Sequence, residues 1–258
     1  MTLRSILATA AIALFVSSTA AQEIMPDVLR QPNISSVPDR VIDIRGLVTG
    51  MSLKEARSVF AALGNEAPNE NTSSFVLSDK EQMVKSVPYT RVLYQGDETD
   101  RLSATFSALS SGNQITLIAR EADYRRAPES APLFDEFVTA LVAKYGEPTF
   151  RKDGREVTHL RWTYKNGQPA PCDPEGTPQC LEPQLAITML PAQAEAFDVV
   201  LTALVGRQRD ADKLIAFKLA LTDLELKLAA DLADEAGMRP ALDDAIAAAA
   251  ANAPKPVL

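Results

Sequence analysis

The chain is poor in the residues that most often announce chemistry. Its 258 residues hold one histidine, His159, two cysteines, Cys172 and Cys180, one tryptophan, Trp162, and 11 glycines. His159 lies in a strand-like run, and a zinc site at the two cysteines would want more ligands nearby, so a metal centre is not the favoured reading. No Gly-x-Ser-x-Gly elbow and no Ser-x-x-Lys with its accompanying motifs occurs, so the common serine nucleophile arrangements are not written here. Beyond the N-terminus no stretch reaches 18 consecutive apolar residues, which excludes a membrane-spanning helix of ordinary length. Excess positive charge is also missing. The formal net charge of −8 repels phosphate backbones and anionic lipid surfaces, which argues against a nucleic-acid partner.

What is present begins with a leader. Residues 1–21 carry Arg4, an apolar stretch from Ile6 to Val16 and the small residues Thr19-Ala20-Ala21, the order of a secretory signal peptide. The apolar core is about half the roughly 20 residues a span requires. We place cleavage between Ala21 and Gln22, with Ala20 as the neighbouring option. One positive charge leaves with the leader, taking −8 to −9. No cysteine stands at the cleavage site to take a lipid anchor, so the expected location is periplasmic or secreted. In that setting Cys172 and Cys180, within "PCDPEGTPQCLEP", read as a disulfide closing a proline-rich surface loop. Such a staple stabilises by about 2–3 kcal/mol on the chain-entropy account. A metal site is the competing reading and wants more ligands nearby.

Residues 22–39 carry Pro26, Pro32 and Pro38 and read as an extended lead-in. "RVIDIRG" alternates as a short strand. "GLVTGMSLKEARSVFAALG" then sets Leu53, Ala56, Val59, Phe60 and Leu63 at helical spacing, with Ser52 and Glu55 as a capping box and Gly64 as the stop. The same segment superficially resembles a phosphate loop. However, Gly46 and Gly50 enclose only three residues, and Met51 stands where the lysine belongs. Residues 65–86 read as a long connection. Three strands with polar turns follow at 88–96, 101–109 and 113–121, an antiparallel meander.

A second cycle starts with Ser130 and Pro132 before a helix whose apolar positions run from Leu133 to Tyr145, stopped by Gly146. Strands are expected at 157–167, 184–190 and 213–221. The run 197–205 is strand or helix, since "AQAEAF" before it has high helix propensity. "VFAALG" answers "LVAKYG", and "RVLYQG" answers "RWTYKNG". Order and spacing both repeat, which points to an internal repeat. The expected fold is therefore α+β, two tandem helix-plus-antiparallel-sheet units spanning 40–126 and 127–222. A C-terminal helix and Ala/Pro-rich tail over 223–258 complete it. That helix starts at a Thr222–Glu225 capping box, sets Leu224, Leu228 and Leu232 on one face, and is interrupted at Gly237 and Pro240.

The Gly-Met-Ser start, the acidic residue three positions after Ser52 and the Leu-Gly end resemble periplasmic domains of the SmpA/BamE type, which assist outer-membrane assembly. The doubling is similar to the tandem architecture of the β-lactamase inhibitor proteins. The resemblance implies a fold and a compartment. It brings no functional residue with it, because the matching positions build the helix, and the lipid-anchored cysteine of the SmpA/BamE type is absent.

Charged runs are read first as turns and solvated loops: "GDETD", "RQRDADK", "READYRR" and "RKDGRE". A docking face is the alternative for the two basic clusters. The functional expectation is an envelope protein-interaction module without catalytic activity, cofactor or metal. The alternative is a small-molecule-binding or hydrolytic protein with a site on the sheet faces, where Tyr94, Trp162 and Tyr164 are the candidate lining.

Overall fold

The computed structural model describes residues 22–25, 42–64, 68–79, 81–97, 99–172, 190–209 and 211–252. The leader, Ala21, Cys180 and most of the strand expected at 184–190 lie outside them. In chain order the elements are β1 (Gln22–Ile24), α1 (Leu53–Leu63), β2 (Asn69–Ser73), β3 (Val76–Asp79), β4 (Gln82–Ser86), β5 (Tyr89–Gly96), β6 (Asp100–Phe106) and β7 (Ile115–Asp123). A 3-10 turn at Pro128–Ser130 leads to α2 (Phe134–Tyr145), β8 (Phe150–Asp153), β9 (Val157–Lys165), β10 (Gln168–Pro169), α3 (Leu190–Ala196), β11 (Val199–Arg207), β12 (Leu214–Asp223) and α4 (Leu224–Asn252).

These elements are not two tandem units. A single nine-stranded antiparallel sheet runs β10-β9-β11-β12-β7-β6-β5-β2, with β8 on β9. It crosses the expected 126/127 boundary where β12 pairs with β7, from Ala216↔Asp123 to Thr222↔Leu117. One apolar cluster extends along it from Ala56 and Phe60 of α1 to Val138, Leu141 and Tyr145 of α2 and on to Trp162. Alternation in a sequence says which side chains point inward, but not which strand edges meet. Pairing β7 with β12 buries two edges that separate units would leave open. A second, three-stranded sheet, β1-β4-β3, packs on the far half of α4, where Val84 meets Met238 and Leu242.

Helix α1 follows its sequence signals. Ser52 Oγ accepts from the Glu55 amide at 3.4 Å, and Glu55 Oε2 accepts from the Ser52 amide at 2.8 Å. Those bonds from Ser52, backbone first, hold the Glu55 carboxyl below its usual range. Gly64 ends the helix with extended backbone, and a Cβ there would sit 2.2 Å from Nε2 of the flexible Gln95 side chain, which would have to turn aside. At Gly146 the φ is +86°, a conformation glycine adopts freely, and its amide bonds the Val142 carbonyl. Ser130 does not cap α2. It lies in the 3-10 turn with its hydroxyl on the Ala127 carbonyl, and the Phe134 amide instead meets the Asp212 carbonyl.

Three other expectations are corrected, and one open choice is decided. The described part of "RVIDIRG", residues 42–46, is no strand: Ile44 and Leu47 exchange both backbone hydrogen bonds around a two-residue turn with Arg45 and Gly46 at positive φ. The lead-in contains β1. The 65–86 connection holds β2, β3 and β4; polar β2, "NENTS", reads as loop because its edge position leaves it outside the core. The run at 197–205 resolves as strand β11, preceded by helix α3.

The C-terminal helix also departs from its reading. Asp223, not Thr222, supplies the cap, its Oδ1 accepting from the Leu226 amide at 2.8 Å. Gly237 and Pro240 lie inside a continuous helix, beside Met238 and Leu242, which are fully buried against the small sheet. By Leu232 the Leu224 row has rotated out to 60% exposure, and Leu226, Ala230, Ala233 and Asp234 face inward instead. Residues four apart advance slightly more than one turn, so over two such steps the row drifts off its face.

Asp223 is fully buried, and Thr49 Oγ1 donates to its other oxygen at 3.3 Å. Desolvation dominates and pushes its carboxyl up to about 7. A raised folded-state value means that the folded chain binds the proton more tightly. The associated stability is full below the unfolded value near 4 and is lost as pH rises towards 7. Asp223→Asn keeps the shape and the cap. We expect the difference in unfolding free energy between this variant and the natural chain to move by about 2–4 kcal/mol in the variant's favour between pH 4 and pH 8. Urea denaturation at both pH values measures it.

Candidate interaction surface

Directly paired residues share a face, so the register divides the large sheet into two surfaces. One face carries Leu93, Ala104, Ile118, Leu221, Leu201 and Trp162 and lies under α1 and α2. The opposite face is covered at one end, where Val200 packs with Cys172, Ala194, Phe197 and Leu224. At the other end it is open. There β7, β12, β11 and β9 line a groove of about 490 Å³, its floor formed by Ala216, Leu204, Gly206 and Val157.

Small residues make this groove. Ala216 and Gly206 pair across β12 and β11, where Gly206 borders a bulge. A Cβ on Gly206 would meet Ile215 Cγ2 at 2.7 Å and the Ala216 carbonyl oxygen at 3.3 Å. Charged side chains form the rim. Lys218 and Glu121, directly opposed across β12 and β7, are joined at 2.8 Å. Asp123 is clasped by Arg125, and that guanidinium holds its carboxyl down at about 2. Asp123 and Arg125 also wall a neighbouring hollow of about 420 Å³ with Thr99 and Arg126.

The candidate lining residues are not brought together. Trp162 is fully buried in the core, its indole nitrogen donating to the Gly146 carbonyl at 2.7 Å. Tyr164 is buried beside it, with its hydroxyl 3.5 Å from the Tyr145 carbonyl. Both therefore serve packing under α2. Tyr94 lies on the uncovered face, but on β5, away from the groove, with the Arg101 guanidinium 4.3 Å above its ring. His159 is exposed on the same face, between Leu204 and Lys152 in register. Cys172 is buried at the covered end, and among the described residues no cysteine is free. Gln22, on one side of the expected cleavage point, opens β1.

The charged runs serve mainly as turns and ties. Asp97 accepts from Thr99 in the β5–β6 turn, Asp100 grips Arg120 through two bonds, and Arg209 bridges to Glu156. The two basic clusters nevertheless converge. Ala216↔Asp123 and Gly206↔Val157 bring 120–126 and 151–156 to the same end of the sheet, at the mouth of the groove. The groove residues themselves went unmarked in the sequence, although one signal was there: in "IAFKLAL" the outward positions include two alanines where a solvated face would carry polar groups.

Chemically the surface offers an apolar floor and paired charges. Among the described residues no group of three or more His, Cys, Asp or Glu is placed to hold a metal ion. Comparison with protein-family models, curated proteins and solved structures finds no significant match.

Because Gly206 has no room for a side chain, Gly206→Val is expected to destabilise the chain by about 1–3 kcal/mol through overpacking against Ile215. A lower urea midpoint with an unchanged denaturant slope is the readout.

Proposed function

We propose that this chain is an exported protein-interaction module of the periplasm or envelope, without catalytic activity, that receives a partner polypeptide in the groove on the uncovered sheet face. The observation that carries this reading is the groove itself: an apolar floor of small residues with a rim of opposed charges, on a sheet whose other face is occupied by helices. Small floor residues let a partner's backbone approach closely, and rim charges orient it. The leader read at 1–21, a cleavage point before Gln22 and a Cys172–Cys180 disulfide, all sequence readings, support an oxidising compartment. The resemblance at "GLVTGMSLKEARSVFAALG" agrees with that compartment.

A second reading rests on one number. A groove of about 490 Å³ falls within the range of small-ligand sites. The groove could then hold a compact metabolite, in line with the alternative drawn from the sequence.

One variant separates the two. Ala216→Arg fills the floor, and Leu232→Glu on exposed α4 serves as the control. The mature chain and the control, immobilised on envelope extract, are expected to retain the same protein, and Ala216→Arg to lose it. Retention by all three would reject the groove as the docking site. If no protein is retained but one metabolite class raises the melting temperature of the natural chain and not of Ala216→Arg, the ligand reading replaces it. N-terminal sequencing of the exported product is expected to begin at Gln22.

A further inference from the structure

The small sheet has an unusual third member. Strand β1 has three residues, and it pairs in parallel with β4, in the register Gln22↔Val84, Glu23↔Lys85 and Ile24↔Ser86. Every other strand pair among the described residues is antiparallel. Parallel pairing is slightly less stable per residue, and three residues provide few bonds. One of these runs from the Val87 amide to the Ile24 carbonyl at 2.8 Å.

Among the described side chains of β1, two tie it down. Ile24 is partly buried against the cluster of Val84, Met238 and Leu242. Glu23 reaches Lys85 at 3.2 Å on the outer surface. Directly afterwards, Met25 is 73% exposed. The remaining small sheet does not depend on β1 for its attachment. Strands β3 and β4 pair with each other from Val76↔Lys85 to Asp79↔Gln82, and Phe75, Leu77 and Val84 bring them onto α4.

We propose that the edge of β4 on which β1 lies is a binding site for an extended polypeptide carrying an acidic residue followed by a β-branched aliphatic one, and that β1 is its occupant within the chain. A partner strand would take the same parallel register, place its acidic side chain on Lys85 and its aliphatic side chain beside Met238 and Leu242. Backbone pairing would supply affinity, and those two positions specificity, as in other cases of strand addition. The site lies on the small sheet, apart from the groove, and does not depend on the groove reading.

The test uses the whole chain with Ile24→Asp, which removes the apolar anchor of β1, and a labelled peptide of residues 22–28, QEIMPDV. Hydrogen exchange is expected to show lost protection at the Val87 amide while β11 and β12 keep theirs. The folded variant should bind the peptide, at least about tenfold more tightly than the same peptide with Ile24→Asp. A Glu23→Lys peptide should bind about twofold to fivefold more weakly, and Lys85→Glu in the chain should restore it. Absence of peptide binding by the folded variant overturns the proposal. So does equal binding of all peptides, and so does global loss of protection on Ile24→Asp, which would make β1 an integral strand.

Discussion

Seven consecutive residue pairs between β7 and β12 hold the molecule together as one body. On the helix side they set Ile118 and Ala122 beside Leu221 and Phe217, so that the apolar surfaces under α1 and α2 become continuous. On the other side the same pairs place Glu121 against Lys218 and Asp123 against Ala216, which is where the groove lies. Core and candidate surface are thus two sides of one seam. Neither could exist in its present form if the two halves of the chain had closed on themselves.

The long C-terminal helix is bound to this sheet by polar groups more than its alanine-rich sequence suggests. Asp234, buried, accepts from the Ala108 and Ser111 amides and from the Ser110 hydroxyl, all in the β6–β7 loop. Asp223 does the same at the helix start with Leu226 and Thr49. Burial raises both carboxyls above their ordinary range, desolvation being the larger influence in each. The hydrogen bonds offset part of that cost and fix the line along which the helix travels, from β12 past the β6–β7 loop to the small sheet. Alanine supplies helicity there and little surface to bury.

Much of this was legible in the sequence, because local signals govern local structure. The capping box of α1, the meander of β5 to β7, strand β9 and the body of α2 all follow from periodicity and turn chemistry. Failures occurred where the deciding partner is remote. Asp223 and Asp234 read as ordinary acidic residues until Thr49 and the β6–β7 loop stand opposite them. Polar β2 is a strand because Arg57 and Thr90 hold Glu70 while β5 supplies its backbone partners. Trp162 and Tyr164 read as ligand lining because aromatic side chains on strands suit either face; only the register shows that they lie under α2. The seam itself leaves no local trace, since alternation in β12 is compatible with any neighbouring edge.

That seam also sets an order of events for a chain made from its N-terminus. Strand β7 ends at Asp123, whereas β12 begins only at Leu214. Through the synthesis of α2, β9 and β11, the β5–β6–β7 meander must wait with one edge unpaired. Closing so distant a contact is slow on entropic grounds, and an apolar strand edge left waiting is where chains associate wrongly. Arg120, Glu121 and Asp123 put charge on that waiting edge, and charged side chains are one of the devices that blunt edge-to-edge pairing.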